Sequence, residues 1–211
     1  MAQRLRLAAL IAGLSYLAAV IMALPQSPLT IVWKGSGVAL LASYALAAGS
    51  KPADWIIDVV LGCGAAGDVL LETHGLTIGA LAFATGHVIA IWLYTKELRP
   101  AFARSQLAAA AALAIGTPFI SWSLTGRLDI AVYATILGGM ATTAWLSRFS
   151  RYNVGVGAVL FVISDLLIFA RMGPLAGAPW SSVAIWLFYF SGQYLIATGV
   201  VGTADKVSPL R

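Results

Sequence analysis

Long apolar runs alternate with short polar breaks from one end of this chain to the other. The runs cover about residues 5–24, 29–48, 53–72, 76–95, 104–124, 128–147, 153–172 and 180–202, and each is about as long as an α-helix must be to cross a hydrocarbon layer. The breaks carry helix-ending residues: Pro25 and Pro28, Gly49 with Pro52, His74 with Gly75, Pro100, Gly126, then Gly173, Pro174 and Pro179. This pattern predicts an all-α, polytopic membrane bundle of eight transmembrane helices. Short connections make sequence neighbours antiparallel, and a single transmembrane domain over 1–211 accounts for the whole sequence.

Composition agrees, since 60% of residues are hydrophobic, only 10% are charged and the mean hydropathy is +0.90, which excludes an ordinary soluble domain. A net charge of +5 raises the question of nucleic acid. The basic residues are scattered over helix ends and form no patch interleaved with aromatics, so no nucleic-acid partner is expected. They are better read as topology. Arg4, Arg6, Lys51, Lys96, Arg99, Arg104, Arg148, Arg151, Lys206 and Arg211 fall on one side, against Arg127 and Arg171 on the other. By the positive-inside rule both termini are cytoplasmic, and a bacterial inner membrane is the expected location. Arg4 and Arg6 before Leu7 to Leu24 have the outline of a signal peptide, but the run is long and lacks a small-x-small cleavage site. An uncleaved first span is expected. Cys63 has no intrachain partner and reads as a small packing residue.

Against this apolar background the ionisable residues inside the spans stand out: Lys34, Asp58, Asp68, His87 and Asp165. A charged group at the centre of a spanning helix costs roughly 2.5–3.5 kcal/mol, so such groups face the bundle interior and find partners. With odd helices running outward, Lys34, Asp68, Tyr133 and Asp165 share the outer half of the membrane, while His87, Tyr189 and Gln193 lie nearer the middle. Asp58 lies near the cytoplasmic end, about 1000° of helix rotation from Asp68; it is expected to cap or snorkel, and Glu72 to reach the outer interface. Lys34 reads equally as a structural counter-ion or a ligand, and His87 equally as a core histidine or a site residue. Asp68 and Asp165, two acids at similar depth in apolar surroundings, are the candidates for chemistry. Small residues such as Gly62, Gly64, Gly67, Gly138 and Gly139 let helices approach closely, and Pro118 is expected to kink the fifth helix.

Several of these residues sit in recognisable strings: GDVLL at Gly67 to Leu71, LTIGALAFATGH ending at His87, YATILGGM beginning at Tyr133, GAVLFVISD ending at Asp165, and FYFSGQYLI with Tyr189 and Gln193. Together with Lys34 they resemble the YhhN-like lysoplasmalogenases, small polytopic membrane hydrolases. The resemblance implies hydrolysis of the vinyl ether of a lysophospholipid substrate to a fatty aldehyde and a glycerophospho-alcohol, without cofactor or metal. Such cleavage needs one protonated acid and one carboxylate, the division of labour glycosidases use. Asp68 and Asp165 are expected to fill these roles in unassigned order. Lys34, His87, Tyr133, Ser164, Tyr189 and Gln193 would hold water, orient the acids or meet the lipid. Oligomeric state stays open. The alternatives are a metal site built from His87, Asp68 and Asp165, a serine hydrolase, a proton- or cation-coupled transporter of a small amphiphile, and a non-enzymatic lipid-binding protein.

Overall fold

A computed structural model describes residues 1–202; Lys206 and Arg211, counted above among the cytoplasmic charges, lie outside the described residues. Within the described residues eight α-helices follow one another: α1 (Ala2–Ile21), α2 (Pro28–Ala48), α3 (Pro52–Thr73), α4 (Leu76–Lys96), α5 (Arg104–Thr125), α6 (Leu128–Leu146), α7 (Val156–Ala170) and α8 (Trp180–Val201). A π-helical turn, Arg151–Gly155, leads into α7.

Local chemistry explains most boundaries. Ser27 and Thr30 form a reciprocal capping box that starts α2 behind Pro28. The Asp54 carboxylate accepts from the backbone N–H groups of Ser50 and Lys51 at 2.9 and 3.1 Å, fixing the entry to α3. The acid that organises this end is therefore Asp54 and not Asp58, whose half-buried side chain lies a turn further along α3. Replacing Asp54 with Ala should cost about 1 kcal/mol, read as a lower melting temperature in detergent with no change at the opposite end of the bundle. At α1 the helix stops earlier than its apolar run: Ala23 adopts a left-handed φ of 47° and the Leu24 N–H returns to the Ala19 carbonyl. Helix α5 runs through Pro118 without a break.

Among the described residues six helices are long and apolar enough to cross a membrane: α1, α2, α4, α5, α8 and the stretch from Arg151 to Ala170. The other two, α3 and α6, carry more polar residues, among them Asp54, Asp58, Asp68 and Glu72 on α3 and Asp129 and Tyr133 on α6. Both still present apolar side chains outward, Trp55 and Val59 from α3 and Leu128 and Val132 from α6. The arrangement is that of a helical membrane bundle, with large aliphatic and aromatic residues on the periphery and Asp68, His87, Asp165 and Gln193 inside.

Sequence neighbours are not all packing neighbours. Helix α5 follows α4 in sequence but packs on α6 and α7, while α4 packs on α3 and α6. The intervening residues are held instead by Arg99, which donates to the carbonyls of Ser147 and Phe149 at 2.7 and 3.0 Å, and by an Arg148–Glu97 ion pair. The result is a closed ring, α3–α4–α6–α7–α8, in which each helix touches the next and α8 returns to α3.

Candidate active site

The ring is furnished from pairs of residues four apart, which share one helix face. Helix α3 contributes Gly64 and Asp68, α4 Phe83 and His87, α7 Phe161 and Asp165, and α8 Tyr189 and Gln193. Phe161 lies at the centre, its ring centroid 4.9 Å from His87, 5.3 Å from Tyr189 and 5.9 Å from Phe83, all edge-on.

Around this aromatic centre each aspartate has its own tyrosine. The Tyr189 hydroxyl donates to Asp68 Oδ2 at 2.7 Å, and the Tyr133 hydroxyl donates to Asp165 Oδ2 at 2.7 Å. Tyr133 also lies 3.3 Å from His87 Nε2. A phenol has a single proton, so while Tyr133 gives it to Asp165, the imidazole must supply the hydrogen from Nε2. The chain His87, Tyr133, Asp165 is thereby directional. Asp68 and Asp165 are 3% and 7% exposed, and they stand within electrostatic reach of each other.

The surroundings of the two acids differ. Asp165 and Tyr133 open into an apolar groove of about 220 Å³ between α4, α6 and α7, with Leu81, Ala84 and Ile136 on its walls and Arg127 and Asp129 at its mouth. Asp68 lies on the other side, within reach of the charges of Lys34 and Glu72. Beneath the aromatic centre a cavity of about 20 Å³ is bounded by Gly64, His87, Tyr94 and Gln193. A cavity of that size holds one water, and the buried Tyr94 hydroxyl at its edge has no hydrogen-bond partner among the described residues. A Cβ on Gly64 would come within 2.9 Å of the Gln193 amide nitrogen, so a larger residue there would displace the end of that side chain.

Of the residues singled out in the sequence, Asp68, Asp165, His87, Tyr133, Tyr189 and Gln193 converge on this centre. Ser164 does not, since its hydroxyl donates to the Ile185 carbonyl of α8 at 3.1 Å and holds two helices together. Lys34 reaches neither aspartate directly: its ammonium pairs with Glu72 at 2.6 Å, and Glu72 also accepts from Gln26. Glu72, expected from the sequence only to reach the outer interface, follows Asp68 by four positions and shares its face, the signal that links it to this end of the site. Phe83, Phe161 and Tyr94 gave no such signal, being apolar or weakly polar residues in apolar helices. Among the described residues no three His, Cys, Asp or Glu side chains come together as metal ligands.

The profile of the YhhN family matches residues 29–200. This chain belongs to the YhhN family. Two relatives extend the comparison: the bovine (Bos taurus) protein named lysoplasmalogenase TMEM86A is 28% identical over 210 residues, covering 93% of this chain and 83% of its own length. The lysoplasmalogenase of Mycobacterium bovis is 29% identical over 181 residues, covering 79% of this chain and 68% of its own. No solved structure matches. The stretch matched by the YhhN profile runs from the start of α2 to the end of α8, so every helix of the ring falls inside it.

Proposed function

We propose that this YhhN protein is a membrane-embedded lysoplasmalogenase, which hydrolyses the vinyl ether of a lysophospholipid by acid and base catalysis from Asp165 and Asp68. The observation that carries the reading is the pair of tyrosine-bound carboxyls on opposite sides of one buried aromatic centre, one of them opening into an apolar groove. The names of the bovine and mycobacterial relatives support the same activity.

In the proposed reaction the lipid tail enters the groove from the bilayer and brings its alkene against Asp165. The Asp165 carboxyl transfers its proton to the outer alkene carbon, the one bonded to the tail, and the C=C pair forms the new C–H bond. This leaves an oxocarbenium ion on the carbon bearing the ether oxygen. Asp68, within electrostatic reach of Lys34, acts as the base and takes a proton from a water as that water adds to the cation. The hemiacetal then collapses: its hydroxyl proton returns to Asp165 as the C=O forms, and the departing glycerol oxygen takes the proton held by Asp68, so both acids are reset and one water is consumed for one aldehyde and one alcohol. Fixed donors and charges aimed at the developing cation and anion need no reorganisation at the moment of reaction. His87 and Tyr133 hold Asp165, Tyr189 holds Asp68, and Gln193 bounds the water-sized cavity.

The decisive experiment is cleavage in deuterium oxide by purified protein. The released aldehyde should carry one solvent deuterium on the carbon next to its carbonyl, and absence of aldehyde or of that label sinks the mechanism. A second result follows from the Tyr133 contact. Tyr133→Phe removes one hydrogen bond to a carboxyl, worth about 1.5–3 kcal/mol, so turnover should fall about 10- to 100-fold while the protein stays folded.

The proposal extends to topology: all eight helices span the bilayer of a bacterial inner membrane, with both termini cytoplasmic. Its support is the charge asymmetry, together with the common end of the bundle shared by Glu97, Arg99 and Arg148 and the opposite end holding Glu72, Arg127 and Arg171.

A further inference from the structure

A second cavity, of about 290 Å³, lies at the outer end of α1, α2 and α8, away from the groove at Asp165. Its lining is unusual for an apolar bundle. Lys34 and Arg171 bring two cations, Glu72 one anion, and Tyr16 and Trp186 an aromatic wall with centroids 4.5 Å apart. Arg171 donates to Ser182 at 3.2 Å from an exposed helix end, so its guanidinium keeps free donors. The Lys34–Glu72 pair is mostly buried, at 15% and 16% side-chain exposure. Desolvating such a pair often costs as much as its attraction returns, so stability alone gives little reason to keep it there.

The cavity also adjoins the base side of the site. Trp186, in its wall, lies 5.7 Å from Tyr189, the donor to Asp68. Lys34 has both Glu72 and Asp68 within electrostatic reach.

We infer that this cavity is a headgroup subsite for a zwitterionic phosphodiester: the phosphate meets Arg171 and Lys34, and the cationic group meets Glu72 against the faces of Tyr16 and Trp186. Two cations suit a phosphate, with the arginine offering paired donors, and a carboxylate beside aromatic faces suits an ammonium. The inference rests on the lysoplasmalogenase reading, and it gives that reading a direction. The headgroup is held on the Asp68 side and the tail on the Asp165 side, with the ether linkage between them.

The test uses full-length protein and three substrates with one tail: an alkenyl-glycerophosphoethanolamine, the matching alkenylglycerol phosphate, and the bare alkenylglycerol. The wild type should prefer the first over the last in kcat/KM by about 10- to 100-fold, as charged hydrogen bonds of about 1.5–3 kcal/mol each imply. Arg171→Gln should erase the preference for phosphorylated substrates, whereas Arg171→Lys retains part of it. Glu72→Gln should erase only the preference for the amine-bearing headgroup over the plain phosphate. Soluble glycerophosphoethanolamine should inhibit the wild type competitively and the Arg171→Gln variant weakly, which separates recognition of the headgroup itself from partitioning of the lipid. Equal cleavage of all three substrates by the wild type overturns the subsite and leaves the hydrolase standing. So does a loss of preference in Arg127→Gln in place of Arg171→Gln, which would put the headgroup at the mouth of the groove. Failure to cleave any of the three overturns the hydrolase itself.

Discussion

Asp165→Asn and Asp68→Asn should each reduce aldehyde release by about 10²–10⁴-fold, the range that positioned acids and bases contribute. Asparagine keeps the shape of the side chain and still accepts from the tyrosine, so each variant should fold and keep the melting temperature of the parent to within a few degrees. The two losses should not multiply in the double variant, because the acid and the base act on one transition state as a unit. Near wild-type turnover in either single variant, measured by mass-spectrometric detection of the aldehyde, would remove that aspartate from the chemistry. The same series bears on the transporter reading of two buried acids: a carrier releases no aldehyde from any variant.

The second large effect arises far from any carboxyl. A Cβ on Gly157 would lie 2.8 Å from the Gly192 carbonyl oxygen and 3.1 Å from the Ile196 nitrogen, and a Cβ on Gly192 would lie 2.7 Å from the Gly157 carbonyl oxygen. Helices α7 and α8 therefore meet backbone to backbone, and no side chain can swing away to make room. Gly157→Ala should cost about 1–3 kcal/mol, the usual penalty of overpacking. Activity should fall further than stability, because the same shift moves Asp165 on α7 relative to Tyr189 and Asp68. Gly62→Ala is the control, since nothing lies within 4 Å of its Cβ. Parallel thermal melts and turnover measurements would expose an error: equal tolerance of the two substitutions would mean that the α7–α8 contact does not set the site.

The aspartates are held by apolar architecture more than by charge. Asp68 and Asp165 are each bound by one tyrosine, and the tyrosines are in turn wedged by Phe161, Phe83 and Phe169. Packed rings have few alternative positions. Such a setting fixes each carboxyl through its own tyrosine.

Much of this was legible in the linear chain. Eight apolar runs with proline and glycine at their ends dictate eight helices, because a helix needs only local hydrogen bonds and a hydrophobic exterior to form in lipid. The rarity of ionisable residues in such helices marked Asp68, His87 and Asp165, and Tyr189 and Gln193, four positions apart, share one face. What a single helix cannot specify is its partner. That Lys34 answers Glu72, that Ser164 serves α8, that α4 passes over α5 to pack on α6, and that Phe161 packs on His87 and Tyr189 all depend on contacts between segments distant in sequence. Those contacts are selected by the fit of whole helix surfaces, small residues against large, and that complementarity exists only once the bundle is assembled.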